Sequence, residues 1–268
     1  MSANRALTID QLTAMKRSGE KIAMLTCYDA SFARIMDRAG IDILLVGDSL
    51  GMVVQGRDTT VGVAVDDVAY HVECVASGIQ RSYLLADLPF GSYHDEATAM
   101  ESSVELMAAG AAMVKLEGAG PMLDVVAYLG SRGVPVCGHL GLTPQSIHQL
   151  GGFRVQARDA AAARQLLLDA RALQDAGARL LVLECVPALL GQEVTEALDI
   201  PVIGIGAGAG CDGQVLVMHD MLGLGMAGGE APKFVADFMA GAGSVQGAFE
   251  AYLLAVREGR FPGPEHQY

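Results

Sequence analysis

The chain has 268 residues, 51% hydrophobic and 18% charged, enough for a large core in one big domain or two small ones. A net charge of −13, with no Lys/Arg cluster, excludes nucleic acid as a partner, because such a surface repels phosphate, and offers an anionic membrane little to attract. Cys27, Cys74, Cys137, Cys185 and Cys211 are odd in number, far apart and without a CxxC pair, which excludes a disulfide framework or zinc ribbon and predicts a reducing, cytoplasmic setting.

The opening stretch "MSANRALTIDQLTAMKRSGE" has no apolar segment of the signal-peptide kind and reads as a helix. Eight short apolar runs follow, each bounded by turn chemistry. In order they are "IAMLTCYD" from Ile22, "DILLVGD" from Asp42, "SYLLADLPF" from Ser82 and "AMVKLEG" from Ala112. "VPVCGHLG" from Val134, "RLLVLECV" from Arg179, "IPVIGIGAG" from Ile200 and "GQVLVMHD" from Gly213 complete the set. None reaches the eighteen residues of a membrane span. Most are continuous rather than alternating, as strands covered on both faces are.

Helical spacing lies between the runs. Over Asp159–Ala178, Leu166, Ala170, Leu173 and Ala176 form one stripe, with Asp159 as N-cap and Gly177 as stop. "DRAGID", "MAAGAAM" and "QDAGARL" repeat a helix–Gly–strand junction. Eight strand–helix units in this length predict a closed (β/α)8 TIM barrel over 1–268, one α/β domain with an N-terminal helix and a C-terminal helical tail. A doubly wound open sheet is the competing arrangement.

Acids recur where the runs end. Asp48, Asp87, Glu117 and Glu184 end the second, third, fourth and sixth, and His139 ends the fifth. In a barrel all five reach the C-terminal mouth, where the active sites of this fold are built. Alternation puts Lys115 and Glu117 on one face, Leu85 with Asp87, and Val182 with Glu184. A strand covered on both sides has no place for unpaired charges. Each feature has a plainer reading: a strand-end Asp caps the next helix, Lys115 and Glu117 pair at the rim, and His139 is a satisfied loop histidine. Recurrence at four strand ends favours a functional site.

Asp48, Asp87 and Glu117 supply hard oxygens without thiolates, which select Mg²⁺ or a similar octahedral ion that keeps waters and shares coordination with substrate. A 2-oxo acid chelates such an ion, which then stabilises an enolate. Glu184, between Leu183 and Cys185, suits a general base whose pKa apolar surroundings raise, and Lys115 suits the substrate carboxylate. "GIGAGAG" from Gly204 meets the dinucleotide spacing only with Ala209 as last member and lies on the seventh run. A tight turn with close backbone approach explains it better than a nucleotide site.

"MLTCYD", "VGDSLGMVVQG", "LLADLPFGSY", "MVKLEG", "PVCGHLGLTPQS", "LLVLECVP", "IPVIGIGAG" and "DGQVLVMHD" together resemble the successive motifs of the ketopantoate hydroxymethyltransferases, also called 3-methyl-2-oxobutanoate hydroxymethyltransferases. The match runs from about Leu7 to the tail "FPGPEHQY". The resemblance implies a (β/α)8 barrel with one Mg²⁺ per subunit and 5,10-methylenetetrahydrofolate as co-substrate. Its one-carbon unit passes to 3-methyl-2-oxobutanoate, giving 2-dehydropantoate for pantothenate synthesis. It also implies Asp48, Asp87 and Glu117 as metal positions, Asp48, Ser49, Asp87 and Lys115 as oxo-acid positions, Glu184 as proton acceptor, and a homodecamer of two rings. His139 lies inside a motif without an assigned role, and no folate contact is legible. "GMAGGEAPKF" (Gly225–Phe234) and Ala209-Gly210 depart from the pattern, away from the acids. The rival is a Mg-dependent C–C lyase of the isocitrate-lyase type, which the same acids would serve; such lyases carry a catalytic cysteine in a flexible loop, whereas Cys137 and Cys185 fall within runs. A nucleotide-dependent oxidoreductase using "GIGAG" and a non-enzymatic binding module are the remaining readings.

Overall fold

A computed structural model describes residues 6–224 and 231–268, so residues 225–230 of the glycine-rich departure lie outside the described residues. All eight predicted runs are strands: β1 (Ile22–Thr26), β2 (Ile43–Val46), β3 (Tyr83–Asp87), β4 (Met113–Glu117), β5 (Val136–Gly141), β6 (Leu180–Glu184), β7 (Val202–Ile205) and β8 (Gly213–Leu216). They pair in parallel, each with the next, and β1 pairs with β8, closing the barrel. The closed ring decides against the open sheet.

The helices are α1 (Ile9–Ser18), α2 (Ala30–Ala39), α3 (Leu50–Val53), α4 (Val65–Ala76), α5 (Glu96–Ala108) and α6 (Met122–Ser131), then α7 (Ile147–Leu150), α8 (Ala160–Asp175), α9 (Ala188–Ala197), α10 (Met218–Met221) and α11 (Val245–Arg257). Their ends follow local chemistry. Asp29, Asp95 and Asp159 cap α2, α5 and α8 by accepting first-turn N–H groups, and Thr8 with Gln11 makes a capping box on α1. Leu166, Ala170 and Leu173 of α8 are buried as their spacing predicts.

Alternation along the strands divides the core. Outward residues such as Val114, Leu116, Leu181 and Leu183 pack with the helices. Inward residues, among them Met24, Leu45, Leu85, Met113, Val182 and Ile203, fill the barrel. Leu12 and Met15 of α1 join that interior cluster and stopper the N-terminal mouth, with Lys16 held by Asp212 at 2.7 Å.

Two elements differ from a uniform eightfold repeat. No helix lies between β7 and β8 in the described chain. The connection turns at Gly206 and Gly208, both in the left-handed region. α9 presses against it so closely that a Cβ on Gly208 would lie 2.6 Å from Ala188 Cβ. The "GIGAG" stretch is thus the tight turn its plainer reading describes. The C-terminal α11 packs on α2 and β1 and takes the eighth position in the helical ring. Its Tyr252 hydroxyl lies 2.9 Å from Met24 O and 2.8 Å from Gln214 O, joining both sides of the β1–β8 seam.

Candidate active site

The inward row that is apolar low in the barrel becomes charged at the top. Register puts Asp87 beside Lys115, and Glu117 beside His139. Asp48, Asp87, Lys115, Glu117 and His139 are each at most 6% exposed, and the Glu184 side chain is 13% exposed. With Ser49 they line one cavity of about 860 Å³. None of the four acids caps a helix. α3 opens at Ser49 without a side-chain cap, and α5, α6 and α9 open at Asp95, Pro121 and Pro187, so the capping reading of the strand-end acids does not hold.

The contacts form one network. Lys115 Nζ lies 2.5 Å from Asp87 Oδ1, and Asp87 Oδ2 accepts the Asp48 N–H at 3.0 Å. Gly47 leaves room for Ser49, because a Cβ there would sit 3.0 Å from Ser49 Oγ. Lys115 Nζ is 3.4 Å from His139 Nδ1. An ammonium can only donate, so Nδ1 accepts and the ring proton belongs on Nε2. That Nε2 is 3.2 Å from Glu184 Oε2, and Nδ1 is 3.2 Å from Glu117 Oε1, both without hydrogen-bond alignment. The Ser49 hydroxyl is hydrogen-bonded to the Tyr28 hydroxyl at 2.8 Å.

Burial sets the protonation of this group. It raises the carboxyls of Asp48 and Glu184, and it pushes Glu117 up to about 7. Neighbouring Asp87 adds to the effect on Asp48, while His139 partly offsets it at Glu184. Burial alone would lower Lys115, but Asp87, Glu117 and Asp48 outweigh it and keep the ammonium charged. Burial and then Lys115 hold His139 below the usual imidazole range, so it is neutral.

Three contributors escaped the motif reading. Gln145, 4% exposed, donates from its backbone N–H to Glu117 Oε2 at 3.0 Å and from Nε2 to Asp48 Oδ2 at 2.8 Å. Tyr93 donates to Gln145 Oε1 at 2.5 Å, and Tyr28 holds Ser49. All three lie inside quoted motifs, but neutral groups on loops leave no periodic or charge signal that would assign them a role.

The donor set suits a divalent cation. Asp87 Oδ1 and Glu117 Oε1 are buried without an aligned hydrogen bond, and four acids face the fixed charge of Lys115. Among the described residues no three His, Cys, Asp or Glu side chains are arranged to hold one ion by themselves. The fit is therefore to an ion such as Mg²⁺ that takes one or two carboxylates directly and keeps waters for its other positions.

A closed parallel barrel with a buried polar network at its C-terminal rim defines a TIM-barrel enzyme. A family model described as ketopantoate hydroxymethyltransferase matches residues 6–264, and the chain belongs to that family. A 3-methyl-2-oxobutanoate hydroxymethyltransferase of Burkholderia vietnamiensis is 59% identical over 267 residues, covering 100% of this chain and 98% of the relative. Among solved structures, a phosphoenolpyruvate phosphomutase from Streptomyces platensis subsp. rosaceus superposes with a TM-score of 0.61 at 15% identity, covering 80% of this chain and 82% of that one. A phosphonopyruvate hydrolase in complex with oxalate and Mg²⁺ gives 0.60 at 11% identity, covering 79% and 81%. These two likenesses are of fold.

Proposed function

We propose that this chain transfers the one-carbon unit of 5,10-methylenetetrahydrofolate to 3-methyl-2-oxobutanoate, with water, giving 2-dehydropantoate and tetrahydrofolate, in the cytoplasm and as a homodecamer. The observation that carries the reading is a family match over nearly the whole chain, joined to a buried acid network in one rim cavity. Asp48, Asp87 and Glu117 would hold Mg²⁺, one or two of them directly and the rest through water, and the ion would supply Lewis acidity to the carbonyl of the oxo acid.

The protein's own groups account for the remaining roles. Lys115, Ser49, Asp48 and Asp87 line the floor where the oxo acid binds, with the Lys115 ammonium facing its carboxylate. Val182, Leu142 and Val215 line the same cavity and offer an apolar wall to the two methyl groups. Glu184 removes the C3 proton. Its burial raises its basicity, and neutral His139 lies beside it, with Nε2 3.2 Å from Oε2. The cavity exceeds the needs of a five-carbon acid. Its outer wall carries Phe153 and Arg154, an aromatic face and a cation that suit the folate.

The thiols argue against the lyase rival. Burial pushes Cys137 up to about 12 and Cys185 higher still, so neither thiol is readily ionised to the nucleophilic thiolate. Glu184→Gln tests the assignment. The variant is expected to keep Mg²⁺ and oxo-acid binding by calorimetry and to lose hydrogen–deuterium exchange at C3 by a factor of about 10²–10⁴. Exchange at the wild-type rate would place the base elsewhere.

A further inference from the structure

Gln145 uses its backbone N–H and its whole side-chain amide inside the site. Its backbone N–H goes to Glu117 Oε2, its two Nε2 hydrogens go to Asp48 Oδ2 and, at 2.9 Å, to Leu88 O, and its Oε1 accepts from Tyr93. One residue thereby fixes one oxygen on each of two acids, Asp48 just past β2 and Glu117 at the end of β4. No hydrogen bond from a described residue reaches the second oxygen of either, Asp48 Oδ1 or Glu117 Oε1.

The amide is chemically apt. A lysine or arginine at position 145 would satisfy the same oxygens but cancel the negative charge that a cation needs. A glutamate would repel Asp48. A neutral group with two donated protons holds the carboxylates and leaves their charge intact. The Tyr93 hydroxyl fixes the sense of the amide, because an O–H donating to Oε1 forces the NH₂ side toward Asp48. Pro144 and the short turn it opens place the backbone N–H of Gln145 toward Glu117.

We propose that Gln145 is a positioning residue that aims the Asp48 and Glu117 carboxylates at the divalent cation, with Tyr93 locking its amide. This rests on the metal role proposed above. The test uses full-length Gln145→Met, which keeps volume and backbone N–H but removes the amide, and Tyr93→Phe, which keeps the ring. Titration with Mg²⁺ alone by calorimetry is paired with melting temperature and with C3 exchange across a range of Mg²⁺ concentrations. Gln145→Met is expected to weaken Mg²⁺ binding about 10–100-fold and Tyr93→Phe by a smaller factor, with exchange recovering in both as Mg²⁺ is raised. A lowered melting temperature with unchanged Mg²⁺ affinity would show a merely structural role and overturn the proposal. If Gln145→Met does not fold, Tyr93→Phe decides: weaker Mg²⁺ binding supports the proposal and unchanged affinity overturns it. A wild-type protein that binds no Mg²⁺ would overturn the metal reading and this proposal with it, whereas equal binding by wild type and variants overturns this proposal alone.

Discussion

Carboxylates do two kinds of work in this chain, and their partners tell them apart. Asp37, far from the cavity, is drawn upward by burial. That pull is outweighed by N–H groups of Ser82, Arg81 and Gln80 at 2.7, 3.0 and 3.1 Å and by the Ser82 hydroxyl at 2.8 Å, which together hold it below the usual carboxylate range. Its partners are backbone donors that join α2 to the start of β3, so its role is structural. A lowered folded-state pKa stabilises above the unfolded value, about 4, and that contribution is lost as pH falls through the folded value. Asp37→Asn is therefore expected to lower stability by about 1 kcal/mol at neutral pH, allowing for the screening of a half-exposed group. The difference should shrink below about pH 4 in urea titrations at several pH values. Asp48, Glu117 and Glu184 at the rim show the opposite pattern, with few donors and carboxyls that burial raises.

At the scale of elements, the junction of β5 and β6 sets the geometry of Glu184. Gly141 has φ of +90°, and a Cβ on it would meet Glu184 O at 2.1 Å. Cys185, just past the end of β6, has φ of 49° without being glycine. Gly141→Ala is expected to cost about 1–3 kcal/mol from backbone strain alone and to slow C3 exchange, since the overlap can only be relieved by moving β6. Thermal melts and exchange rates on the same preparation check both effects, and a stable variant with full exchange would contradict them. All eight strands were legible because burial on both faces writes them as continuous apolar runs. The acids were legible because charge ending such a run has few explanations. α3, α7 and α10 were not, since four residues are too short to display a helical period. The missing helix between β7 and β8 was hidden as well: it depends on how closely α9 packs against the turn. Gln145 was missed because its contacts come from a loop and from across the barrel.

For the whole molecule, the exterior bears on assembly. Tyr70 on α4 and Val104 on adjacent α5 are 63% and 55% exposed, apolar surface that suits contact between copies of a strongly acidic chain. A decamer predicts a sedimentation mass of about ten times the 27.9 kDa chain; a monomer or dimer at micromolar concentration would refute it. The plug made by Leu12 and Met15 has an effect on traffic. Among the described residues the floor of the barrel is sealed, so ligands approach the acids from the C-terminal mouth, and whatever enters second lies over what entered first. For the proposed reaction, the small oxo acid would then load ahead of the folate and its product would depart last. In steady-state kinetics 2-dehydropantoate should compete with 3-methyl-2-oxobutanoate while tetrahydrofolate should not.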